Sequence, residues 1–119
     1  MTSTLSDLSG FSDFSDTAAQ FEKSPGGTDD FKRLYKKAFE LMKRDAENAA
    51  VYFVIGVAAH AYVIQYEDQA VTAECAETAK SALVRFCRKA VQALTAEPAT
   101  RLALLGEIAS EYQFDITGF

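Results

Sequence analysis

The clearest periodicity along this chain is in "FKRLYKKAFELMKRDAE", which begins at Phe31. With about 100° between successive helical residues, Phe31, Leu34, Tyr35, Ala38, Phe39, Leu41, Met42 and Ala46 fall on one side. Lys32, Arg33, Lys36, Lys37, Lys43 and Arg44 fall on the other, with Glu40. The pattern predicts a helix over about 29–46 with one side against a core and a basic, solvated opposite side.

The next segment, about 48–66, has no such division. Val51, Tyr52, Phe53, Val54, Ile55, Val57, Tyr62, Val63 and Ile64 point in every direction. A helix apolar all round must be covered all round, either at the centre of a bundle or by a second copy of the chain. A stripe returns over about 69–95 with Cys75, Ala76, Ala79, Leu83, Phe86, Cys87, Ala90 and Leu94, leaving Arg85, Arg88 and Lys89 outside it. Pro98 suits the first turn of a last helix, about 98–113, because the N–H that proline lacks has no intrahelical partner there. That helix presents Leu102, Leu105, Ile108, Ala109 and Tyr112, and the closing "FDITGF" offers Phe114, Ile116 and Phe119 to the bundle's side. The expected fold is all-α: an antiparallel four-helix bundle with short connections.

The front of the chain reads differently. "LSDLSGFSDFSD", residues 5–16, repeats an apolar residue, a serine and Asp or Gly. Pro25, Gly26 and Gly27 then form a break that a helix interior does not tolerate, and Thr28 or Asp29 can cap the helix that follows. Residues 1–27 are therefore expected to be a flexible acidic and aromatic tail, and 28–119 the bundle domain. Leu8, Phe11, Phe14 and Phe21 recur at near-helical spacing, so the tail can become an amphipathic helix on contact and dock in a groove.

Charge strengthens this division. Asp7, Asp13, Asp16, Glu22, Asp29 and Asp30 face only Lys23 within the first thirty residues, which accounts for the whole formal net charge of -5. Lys32, Lys36, Lys37 and Arg44 are the expected counterparts of those acids, in the same chain or in a second subunit. Together with Leu8, Phe11, Phe14 and Phe21 they form the expected partner-binding set. The basic side of the first helix also suits phosphate. An acidic tail and a neutral remainder argue against nucleic acid as the partner.

Two short blocks echo one another: "RLYKKA" with "VIGVAAHAY", and "RFCRKA" with "LLGEIASEY". Gly56, Ala59 and Tyr62 match Gly106, Ala109 and Tyr112. The blocks resemble the helical hairpins of tetratricopeptide repeats in placing a small residue where helices cross. Their spacing of about 50 residues exceeds the 34 of that repeat, so the echo implies at most a duplicated hairpin.

At 119 residues with 49% apolar content, the chain is long enough for a single core without staples. Cys75 and Cys87 lie about 18 Å apart at about 1.5 Å rise per residue, too far to bond each other along one helix. They read as reduced thiols, and with no signal-peptide pattern the expected location is cytoplasmic. The most apolar run, "AAVYFVIGVAAHAYVI" from Ala49 to Ile64, is shorter than the roughly 20 residues of a membrane helix and reads as a buried one.

No catalytic constellation is legible, and His60 is the single histidine. There is no glycine-rich phosphate loop, no paired-cysteine zinc site and no second histidine for a helical di-iron site. No metal is expected. Glu67, Asp68, Glu74 and Glu77 read as an acidic helix start, and carboxylates on either side of Cys75 disfavour its thiolate. The expected function is that of a small non-catalytic protein, expected to be a homodimer from the over-apolar second helix, which binds another protein as a regulator, adaptor or immunity-type inhibitor. The alternative is a ligand-binding bundle in which His60, with Tyr52 or Tyr62, lines an internal pocket or ligates a haem.

Overall fold

The computed structural model describes the backbone of residues 2–119 and the side chains from residue 10 onward. The fold is all-α. Among the described residues five helices follow one another: α1 (Thr2–Lys23), α2 (Thr28–Arg44), α3 (Ala49–Tyr66), α4 (Ala73–Thr95) and α5 (Pro98–Phe114). A short 3-10 turn, Ala46–Asn48, joins α2 to α3. Among the described residues there is no strand.

The helices expected from periodicity are present with small shifts at their ends. α2 starts one residue early because Asp30, in its first turn, reaches back: its Oδ2 accepts from the backbone N–H groups of Gly26 and Gly27 at 2.9 and 3.0 Å. Gly27 takes the cap position, so neither Thr28 nor Asp29 is the cap. α4 starts late, at Ala73. Asp68 adopts a left-handed φ of 67°, and the chain runs without helix until Thr72, whose hydroxyl accepts from the N–H of Cys75 at 3.1 Å.

Residues 10–27 depart most from expectation, while the part of the expected tail at 1–9 lies outside the described side chains. Residues 10–23 do not stand apart as a flexible tail, since α1 lies against α2 and α4 and places Phe14 and Phe21 in the common core. Phe14 is 0% exposed and meets the ring of Tyr52 at 5.7 Å. Phe21 sits edge-on to Phe31 at 5.0 Å. The break at Pro25–Gly27 is a turn between two packed helices, with Gly26 at φ 85° against the stem of Lys80.

A run of rings crosses the core from there. Phe31 of α2 stacks on Tyr62 of α3 with centroids 3.9 Å apart, and Tyr62 meets Phe119 edge-on at 5.4 Å. Phe119 also packs on Tyr112, so the C-terminal segment lies along the helices through Ile116 and Phe119. Phe114, the last residue of α5, is exposed.

α2 and α3 form the most extensive helix pair. Gly56 permits the close approach: a Cβ there would strike the ring of Phe39. With the preceding turn, the apolar stretch runs Ala46–Tyr66, 21 residues with mean hydropathy 1.5, which is enough by length and composition to span a membrane. Within the fold its Val51, Tyr52, Ile55, Ala58, Ala59 and Tyr62 are buried, as in the core helix of a folded domain.

At the opposite end from the stacked rings, polar groups are buried together. Asp45, which ends α2, and Asn48 are both buried. Oδ2 of Asp45 accepts from the hydroxyl of Tyr52 at 2.8 Å and from Nδ2 of Asn48 at 3.0 Å. Arg101 of α5 donates to Oδ1 of Asn48 at 2.6 Å and to the carbonyls of Ala93 and Leu94 at the end of α4. Gly10 covers this cluster; a Cβ there would lie 2.5 Å from Oδ2 of Asp45 and 2.7 Å from the Tyr52 hydroxyl. No buried side-chain polar atom among the described residues lacks a partner, which is what a buried network requires in order not to cost stability.

Candidate interaction surface

The residues expected to bind a partner are largely occupied within the chain. Leu8 lies outside the described side chains. Phe14 and Phe21 are core residues, and Phe11 packs partly against that core. Arg44 pairs with Asp13 of α1 and, at 3.5 Å, with Glu40. The hydrogen bond from Arg44 to Asp13 raises the guanidinium's affinity for its proton. This is the expected meeting of front-end acid and α2 base, made inside one chain. Lys32 pairs with Glu67, whose hydrogen bond raises its pKa, and Lys37 with Glu40 at 3.3 Å. Arg33 pairs with Asp30 at 3.0 Å. Lys36 is exposed.

A second tie to α1 is absent from the expected set. Arg88 of α4 holds Glu22 at 2.7 Å, and this hydrogen bond lowers the Glu22 pKa below 4.5. Its signal in the sequence was the base left outside the α4 stripe.

His60 lies between α2 and α3 at the molecule's side, partly exposed, with its ring 4.6 Å from that of Tyr35 and 6.2 Å from that of Phe39. Tyr52 and Tyr62 are fully buried and packed on other rings, so the three do not surround one space. Burial raises the Tyr62 pKa. Among the described residues no cluster of three metal-ligating side chains occurs. Cys87 is buried and its thiol is pushed up to about 12 by desolvation; Cys75 is partly exposed, with Sγ donating to the Tyr66 hydroxyl at 3.6 Å. An open cleft of about 280 Å³ beside Cys75 lies between the start of α4 and the C-terminal segment through Ile116 and Phe119.

The surface that stands out is apolar. From Ala49 to Tyr66, α3 carries no Asp, Glu, Lys or Arg. Its inner side is covered by α2 and α4, while Phe53, Val57, Ala61 and Ile64 recur at helical spacing on its outer side. Phe53 is 50% and Ile64 70% exposed. Beside it, α5 buries only Ile108; Leu102, expected on the core stripe, is 73% exposed. A groove of about 590 Å³ runs between the two, lined by Met42, Ala49, Ala50, Phe53, Val54, Leu102, Leu105, Gly106 and Ala109. None of these nine can ionise.

The charges of α5 explain why this side is bare. Arg101 turns inward to Asn48, Glu107 pairs with Lys89 at 3.1 Å and Glu111 pairs with Arg85, all toward the α4 side or the interior. Every charged residue of α5 is thus committed away from the groove. The sequence signal was the charge-free second helix; which of its sides stays open depends on where α5 lies.

No protein family matches the chain, and neither a curated protein nor a solved structure is significantly similar to it.

Proposed function

We propose that the protein is a small non-catalytic helical module, cytoplasmic, that works by binding another protein, in the manner of a regulator, adaptor or inhibitor. The observation that supports this is the charge-free groove between α3 and α5, with Phe53 and Leu102 projecting from its borders. Monomeric soluble proteins rarely leave a large contiguous apolar face open, and such faces mark places where another surface sits. Aromatic and aliphatic side chains in a desolvated pocket are the usual source of binding energy.

In this reading α2–α5 form an antiparallel bundle and α1 braces it rather than competing for a partner. The basic side of α2 is a poor nucleic-acid surface because Lys32, Arg33, Lys37 and Arg44 already face carboxylates. A photo-crosslinking p-benzoylphenylalanine in place of Phe53, expressed in the source cells, tests the reading. Discrete protein adducts that vanish in a Leu102→Glu background are expected; irradiation yielding no protein adduct overturns it.

A further inference from the structure

The groove between α3 and α5 is suited to itself. We infer that its occupant is a second copy of this chain, related by a two-fold axis, so that the α3–α5 face of one protomer packs on the same face of its partner. The inference rests on the protein-binding reading above and names the partner.

A two-fold interface brings one patch against itself, so whatever the patch carries is doubled. A patch with charges of one sign is then opposed by the same sign. This chain has a formal net charge of -5, and its charges are carried on α1, the outer side of α2, α4 with the α4-facing side of α5, and the connections, where Glu47, Glu67, Asp68, Glu97 and Asp115 lie outside the groove lining. The groove is the contrasting region. Its lining has no ionisable group, because Arg101, Glu107 and Glu111 are all held by contacts elsewhere. Two negatively charged copies can approach there without confronting like charges.

The relief is self-complementary as well. A two-fold contact needs projections and depressions on the same patch, since each copy supplies both. Leu102 and Phe53 project, exposed by 73% and 50%. Gly106 lies in the same lining with open space around it: a Cβ added there meets no atom within 4 Å. Ala50 and Ala109 are the other small residues on that floor. Leu102 of one copy can therefore enter the depression of its partner while the partner's Leu102 does the same. A membrane surface is the competing occupant for an apolar face. The negative chain gains no attraction from anionic lipid, and no base lines the groove to meet headgroups.

Sedimentation equilibrium of the full chain over about a hundredfold range of concentration tests this. The expected mass rises to twice the 13.0 kDa of one chain and stops there. Leu102→Glu and Phe53→Ser, both at exposed positions, should keep the helical circular-dichroism spectrum and weaken self-association by at least about tenfold. A wild type that stays monomeric, a mass that keeps growing beyond two chains, or a dimer indifferent to both variants overturns the inference. So does a monomer that binds phosphatidylcholine vesicles and loses that binding in Phe53→Ser. The cellular crosslink separates the two readings. Adducts with a chain of another mass, alongside a monomeric purified protein, reject the second copy and keep the protein-binding reading; no adduct at all rejects both.

Discussion

The hydroxyl of Tyr52 donates to Oδ2 of Asp45 across 2.8 Å, and both residues are buried. Through this bond the first turn of the molecule's most apolar helix satisfies the carboxylate that ends α2. Asn48 supplies a second donor to the same oxygen. Tyr52→Phe removes one donor to a buried carboxylate, and hydrogen bonds to charged groups are worth about 1.5–3 kcal/mol. Urea unfolding should show a loss of that size. Tyr52→Phe in an Asp45→Asn background should lose less, because the acceptor is then neutral.

Gly10→Ala separates local propensity from packing. Helix propensity alone favours alanine over glycine by about 1 kcal/mol within a helix. Here the new Cβ would stand 2.5 Å from Asp45 and 2.7 Å from the Tyr52 hydroxyl. Packing wins: the variant is expected to be less stable than wild type, with faster amide exchange in α1. An increase in melting temperature would show that α1 does not press on this cluster.

Truncating Phe14 to alanine should cost about 3–5 kcal/mol, as for a fully buried aromatic residue. A chain starting at Thr28 should unfold at markedly lower urea or fail to fold. Equal stability of the long and short chains would restore the picture of an independent tail.

Acid should loosen α1 through Glu22. Its folded-state pKa is lowered from 4.5, chiefly by the Arg88 hydrogen bond. A carboxylate with a depressed folded pKa adds stability that is fully present above its unfolded value and disappears as pH falls through the folded one. The contribution should therefore be complete above pH 4.5 and decline below it. Glu22→Gln should flatten that part of the stability profile. The pair is exposed, so added salt should weaken it as well.

The two thiols should differ in alkylation. Cys75 is partly exposed, whereas Cys87 is buried with its pKa pushed up to about 12. Iodoacetamide at neutral pH is expected to label Cys75 in the folded protein and Cys87 only when the chain opens. Mass spectrometry with and without urea reads this directly, and rapid labelling of Cys87 in the native state would contradict the packing around it.

Periodicity located α2 to α5 because each has either a clean stripe or an unbroken apolar run bounded by Pro, Gly or a cap. α1 was harder. Its apolar residues recur every three positions, so each step falls about 60° short of a full turn and the stripe winds around the helix. The face that actually packs is Gly10, Phe14 and Phe21, and Gly10 contributes by having no side chain, which no hydrophobic pattern reveals. Charge counting also misled: the front-end acids read as a solvated tail, yet Asp13 and Glu22 are joined to Arg44 and Arg88. For the candidate surface, the sequence showed that α3 needed cover on all sides. That α5 leaves one side open, and that Leu102 points outward, depends on tertiary placement.

Arg101 gives the fold a property beyond its hydrogen bonds. Its guanidinium joins the last carbonyls of α4 to Asn48, which lies 53 positions away in sequence and holds Asp45 in turn. The α4–α5 connection and the α2–α3 connection are thereby tied at one end of the molecule. α5 cannot fray from its first turn without taking the Arg101 donor from Asn48, the residue that holds the buried carboxylate under Gly10. Terminal helices usually open alone and early. In this chain the first and the last helix share one lock, so they should open together and with the core.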